Sequence, residues 1–99
     1  MKPLRISELA SEELREAVRW YEDRRSGWGG RLFDAVSHSV ELIEAYPEIG
    51  EERRGRHPSR QFSVLGFPYK VVYRIRPQDI YVVAVAHTSR RPGYWKNRD

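Results

Sequence analysis

A chain of 99 residues with 39% hydrophobic content and no cysteine has room for one small core, and it excludes disulfides, thiolate metal sites and thiol nucleophiles. The formal charge of +4 is unevenly spread: residues 1–50 carry 7 Lys/Arg against 10 Asp/Glu, a balance of −3, and residues 51–99 carry 11 against 4, a balance of +7, which together restore +4. A basic half of that kind suits nucleic acid, an acidic protein surface or, less often, an anionic membrane surface.

Leu4 and Ile6 flank Arg5 in a segment that reads as an edge strand. Ser7 or Ser11 can cap a helix whose apolar stripe is Ala10, Leu14, Ala17, Val18 and Tyr21, with Glu12, Glu13 and Glu16 near its positive end. The cluster Ser26-Gly27-Trp28-Gly29-Gly30 breaks it. A second helix then shows Leu32, Phe33, Val36, Val40, Ile43 and Tyr46 on one face, and Pro47 stops it. The short connection predicts an antiparallel helical hairpin.

Residues 48–60 hold Arg53, Arg54, Arg56 and Arg60 with Gly50, Gly55 and Pro58 and no apolar period, so they read as a basic exposed loop. Beyond it the period is two: Phe62 and Val64, then Tyr69, Val71, Tyr73 and Ile75. Pro77-Gln78-Asp79 is a turn, and Ile80 to Ala86 is apolar on both faces, like a central strand covered twice. The prediction is one α+β domain over residues 1–99: an N-terminal strand, a helical hairpin and a three-stranded antiparallel sheet. Side-chain alternation would turn Lys70, Arg74 and Arg76 to the face away from the helices, leaving that face open and basic.

No apolar run approaches the roughly 18 residues of a membrane span, and the polar segment after Met1 lacks a secretory h-region, so the expectation is a cytoplasmic protein with no membrane contact. The three His lack metal-ligand spacing, and neither a metal nor another cofactor is expected. The glycine cluster follows a helix and lacks phosphate-loop spacing, which leaves it a turn. Ser89, His87 and Asp79 form no triad motif. Glu12, Glu13, Glu16 and Glu22 are assigned to the solvated helix face, as partners of Arg15, Arg19 or Arg25.

The basic and aromatic residues carry the chemistry. Cleaving RNA without a metal needs a group to take the 2′-hydroxyl proton, positive charge for the phosphorane, and a group to protonate the leaving oxygen. Arg60, Arg74, His87, Arg90 and Tyr94 are the candidate catalytic set. Lys70, Arg76, Arg91 and Trp95 are candidates for gripping a target or nucleic acid, with Trp95 stacking on a base. The competing reading is that Tyr94 and Trp95 fold back over the sheet edge and the strand arginines are ordinary exposed positions.

Several stretches, taken in order, resemble toxins of the RelE/ParE superfamily from bacterial type II toxin-antitoxin modules. They are Ala10, Leu14, Glu16-Ala17 and Trp20-Tyr21-Glu22; Gly27, Gly29, Phe33 and Val36; Ile43 and Pro47; and Arg60. Phe67-Pro68-Tyr69 with Val72-Tyr73-Arg74 follows, then Val83-Ala84-Val85-Ala86-His87 with Arg90, Tyr94-Trp95 and Arg98. The resemblance implies a helical hairpin against a twisted antiparallel sheet, and a cognate antitoxin with which the toxin forms a hetero-oligomer. Members like RelE are ribosome-dependent endoribonucleases acting on messenger RNA, and Arg60, Arg74, Arg90 or Arg91, and Tyr94 would occupy their positions. Members like ParE act on DNA gyrase, and the Trp20-Tyr21 helix and the ending Pro92-Gly93-Tyr94-Trp95 resemble that plasmid-stabilisation branch more. A non-catalytic nucleic-acid-binding module is the reading from a different class.

Overall fold

Of the two serines able to cap the first helix, Ser7 does so: its Oγ accepts from the Ala10 N–H at 3.1 Å. Its own N–H donates to the Val82 carbonyl at 3.0 Å, so one residue ends strand pairing and starts a helix. The computed structural model describes residues 2–98. Strand β1 (Leu4–Ile6) leads into α1 (Glu8–Arg24) and α2 (Trp28–Ala45). A 3-10 turn (Pro47–Ile49) follows, then β2 (Glu51–Arg53), β3 (Ser59–Ser63), β4 (Tyr69–Ile75) and β5 (Ile80–His87).

The glycine cluster starts the second helix rather than merely separating the two. Gly27 takes the left-handed conformation, φ 90°, where a side chain would be strained, and Trp28 is already helical. No side chain of the Gly27 cap closes the new helix. The Glu22 carboxylate does it from the previous helix, accepting from Gly27 N at 3.1 and 3.0 Å and from Gly29 N at 3.0 Å. Anionic oxygens at exposed N–H groups match the helix dipole.

The sheet has five strands, not three, in the order β1-β5-β4-β3-β2. β1 lies parallel to β5, and the other pairings are antiparallel. The expected N-terminal strand joins the sheet as one of the two additions, and the segment expected as a loop supplies the other: Glu51, Glu52 and Arg53 pair with Gln61, Arg60 and Ser59. An edge strand that buries little needs no apolar alternation, so periodicity could not show it.

One sheet face carries the helices. Ala10 and Ala17 of α1, Leu32, Val36 and Ile43 of α2, and Val71, Tyr73, Ile80, Val82 and Val85 of the sheet form a single buried cluster. Each large aliphatic side chain there contributes roughly 1.5–3 kcal/mol on burial. Phe33 and Tyr46, expected on the buried stripe of α2, are 50% and 65% exposed.

The other face is not open. Val72, Val83, Ala84 and Ala86 pack beneath Trp95 of the C-terminal tail, which is 3% exposed. A bulge makes this second core: Val72 pairs with Ala84 but Tyr73 with Val82, leaving Val83 as an extra residue. Consecutive Val83 and Ala84 therefore serve the same cluster, as a bulge allows.

Candidate functional site

Strand register distributes the candidate catalytic residues over both faces of the sheet. Arg60 pairs with Tyr73, whose ring lies in the helix-side core, so Arg60 faces the helices. There its Nη1 donates to the carbonyls of Glu48 and Gly50 at 3.1 and 2.9 Å. Lys70 and Arg74, by alternation with Val71 and Tyr73, lie on the tail face. His87 pairs with Tyr69 at the far end of β5, the two rings meeting edge-on at 5.0 Å. It lines a groove with Trp20, Tyr21, Tyr69 and Arg90 beside α1. The convergence of Arg60 with Lys70, Arg74, His87 and Tyr94 does not occur.

His87 is also committed by its hydrogen bonds. Nδ1 takes the Ser89 backbone N–H at 3.0 Å and lies 2.8 Å from Ser89 Oγ. A backbone N–H only donates, so Nδ1 is an acceptor and a neutral ring carries its proton on Nε2. In that tautomer the Nδ1 lone pair is engaged by Ser89. Asp79, at the opposite end of β5, is bound instead by Arg76, with Nε to Oδ1 at 2.6 Å and Nη2 to Oδ2 at 2.7 Å. Arg76 also covers Tyr81, 4.1 Å from its ring centroid, and so clamps a turn rather than pointing to solvent.

Tyr94 and Arg90 meet at Glu13. The Tyr94 hydroxyl donates to Glu13 Oε2 at 2.7 Å, and Arg90 Nη1 lies 3.6 Å from the same oxygen. Glu13 Oε1 takes the Val85 N–H and Arg98 Nη1, both at 3.0 Å. Burial, reinforced by the hydrogen bond to Glu13, pushes the Tyr94 phenol well above its ordinary value, which holds it protonated. Arg90 stacks 3.7 Å from the Tyr94 ring centroid. Arg91 is exposed.

What the tail face does assemble is a basic cleft of about 370 Å³ between the β2–β3 connection, β4 and the tail. Arg53, Arg54, Arg56, His57, Arg74 and Lys96 line it, with Trp95 beneath. Arg53 and Lys70 flank the Trp95 ring, at 5.9 and 5.3 Å from its centroid, so the ring expected to stack on a base is sealed between two cations and the sheet. Arg54 has only a loose contact to Glu52, 3.9 Å between two exposed side chains. Among the described residues no group of three His, Cys, Asp or Glu is placed to hold a metal ion, and no helix is long and apolar enough to cross a membrane.

This architecture can be set beside known proteins. The family model for the ParE toxin of type II toxin-antitoxin systems, parDE, matches residues 4–92. The chain belongs to that family. A ParE toxin of this kind is the toxin of a type II pair, and its partner is an antitoxin. A solved structure described as the chromosomal ParDE system of P. aeruginosa superposes with a TM-score of 0.77 at 14% identity. The overlay covers 90% of this chain and 98% of that one, a likeness of fold. No curated protein matches the chain in sequence. The family match ends at Pro92, so Tyr94, Trp95, Lys96 and Arg98 of this ParE toxin lie beyond it.

Two carboxylates assigned to the solvated helix face organise this ParE toxin instead. Glu22 caps α2, and Glu13 receives the tail. Glu13 had a readable signal: it stands three residues after Ala10 and four before Ala17, on the buried stripe. The meeting of Arg53 to His57 with the tail had none, because it depends on the pairing of β2 with β3.

Proposed function

We propose that this ParE toxin arrests growth in the cytoplasm by acting on DNA gyrase, and that its antitoxin silences it in a hetero-oligomer. The observation that carries the gyrase reading over RNA cleavage is the dispersal of the proton-transfer groups. Arg60 is fixed on backbone carbonyls of the helix side, and His87 has its acceptor nitrogen occupied. Tyr94 is held protonated against Glu13. In-line cleavage without a metal would need such groups within hydrogen-bond reach of one phosphate, whereas blocking a large enzyme needs only a shaped, charged surface. The +7 balance of residues 51–99 suits an acidic antitoxin that folds as it binds.

The purified protein is to be added to gyrase with relaxed plasmid, and separately to ribosomes translating a defined messenger. The expected result is loss of supercoiling with the messenger intact. Cut messenger with normal supercoiling would overturn the proposal.

A further inference from the structure

We propose that the cleft between the β2–β3 connection and the tail binds the phosphodiester backbone of a nucleic acid; on the gyrase reading, on which this part rests, that is the DNA gyrase is handling. Arg53, Arg54, Arg56, Arg74 and Lys96 converge on one cavity of about 370 Å³ with the imidazole of His57. They come from three separate places in the chain, which the β2–β3 and β3–β4 pairings and the packing of the Trp95 tail on the sheet bring together. Arg74 has an interaction of its own, so the charge open to a ligand is that of Arg53, Arg54, Arg56 and Lys96; among the described residues no carboxylate lines the cavity, and the contact of Arg54 to Glu52 is loose and exposed. Such a contact offsets little of a cation's attraction for an incoming anion.

Chemistry favours a polyphosphate over an acidic protein surface here. Protein interfaces draw much of their affinity from a few Trp, Tyr and Arg anchors packed in desolvated pockets at the centre of the contact. This cleft offers no accessible aromatic anchor, because its one large apolar residue, Trp95, is already buried, 3% exposed. Of the open apolar side chains, Leu9, Trp20 and Phe33 belong to the helices, on the other side of the sheet. Guanidinium forks over a cavity without an apolar centre match phosphate oxygens. Ser59 and Asn97, which also line it, add neutral hydrogen-bonding groups of the kind that accompany backbone contacts.

The test measures fluorescence anisotropy of a labelled duplex DNA and of a single-stranded RNA of equal charge, with the whole protein, from about 50 to 200 mM salt. Binding should weaken with salt with a log–log slope of about −3 to −4 on duplex DNA, near −0.9 per phosphate neutralised. The double variant Arg54→Ala/Arg56→Ala, confined to the exposed connection, should bring the slope about 2 closer to zero with an unchanged thermal midpoint. No binding to either polymer at low salt would overturn the proposal, as would a variant that binds like the parent or equal affinity for poly-glutamate. Binding to RNA alone would reject DNA as the source of the phosphates. The parent reading fails separately: a protein that binds DNA yet leaves supercoiling untouched supports the cleft and counts against gyrase.

Discussion

The Tyr94 hydroxyl donates to Glu13 Oε2 at 2.7 Å across 81 residues of sequence, tying the tail to the first helix. Because Glu13 also accepts from Val85 N and Arg98, Glu13→Ala takes the acceptor from three donors at once and should cost about 2–4 kcal/mol, against about 1 kcal/mol for Tyr94→Phe. Urea unfolding of both singles and the double closes a cycle. A coupling of about 0.5–3 kcal/mol is expected, and strict additivity would show that the contact is incidental.

Trp95 is the second anchor of the tail, and its role is packing. Trp95→Ala should cost about 3–5 kcal/mol, as other buried aromatic truncations do. The half-exposed Trp20, 49% accessible with Arg24 stacked 3.6 Å from its ring centroid, should cost no more than about 1 kcal/mol on truncation. Equal losses at the two sites would mean that Trp95 does not hold the tail-face core.

Elements with strong periodicity were legible in the sequence. The α1 stripe, the Ile80–Ala86 run and the turn before it correspond to α1, β5 and the Arg76–Asp79 clamp. The edge strand β2 was not, since Glu51, Glu52 and Arg53 carry no apolar pattern and owe their conformation to a ladder with β3. The candidate site fared likewise. Residue types named Arg74 and Trp95 as notable, but whether Arg60 shared their face depended on register, which a slip of one residue reverses. The bulge at Val83 shifts that alternation within β5, and nothing in an all-apolar strand announces it.

Asp79 makes stability depend on acid. The hydrogen bond from Arg76 holds this carboxyl below its ordinary value, burial acts in the opposite direction, and the charges of Arg76 and Arg5 lower it further. A carboxyl whose folded value is depressed contributes stability that is present above about pH 4, its unfolded value, and is lost as pH falls through the folded one. Thermal midpoints measured from neutral to acid pH should therefore fall less steeply in Asp79→Asn than in the parent. Parallel acid limbs would show that the clamp contributes nothing to acid sensitivity.

Alkali acts on the tyrosines with the opposite sign. Burial raises Tyr69, Tyr73 and Tyr94, with the Tyr21 charge adding to the first and Glu13 to the last, while Gly50 N–H and Arg60 partly offset the shift of Tyr73. A raised phenol contributes stability that is complete below about pH 10 and is lost as pH rises through the folded value. Phenolate absorbance should accordingly keep a late phase that coincides with unfolding. Tyr94→Phe should shrink that phase, and a variant with the parent's full late amplitude would contradict the placement of Tyr94.

Neighbouring glycines in α2 should respond to alanine with opposite signs. A Cβ on Gly29 would sit 2.7 Å from the Val18 carbonyl oxygen and 3.0 Å from Glu22 Cβ, so α1 and α2 would have to separate where Glu22 caps the second helix. That overpacking should cost about 1–3 kcal/mol, outweighing the gain of up to about 1 kcal/mol that alanine brings to a helix. At Gly30 a Cβ meets nothing within 4 Å, so only the propensity gain remains and Gly30→Ala should stabilise by about 0.5–1 kcal/mol. Urea midpoints decide the matter. Stabilisation by both substitutions would mean that the hairpin does not close on Gly29, and the distance between the helices would have to be larger there than the Glu22 cap requires.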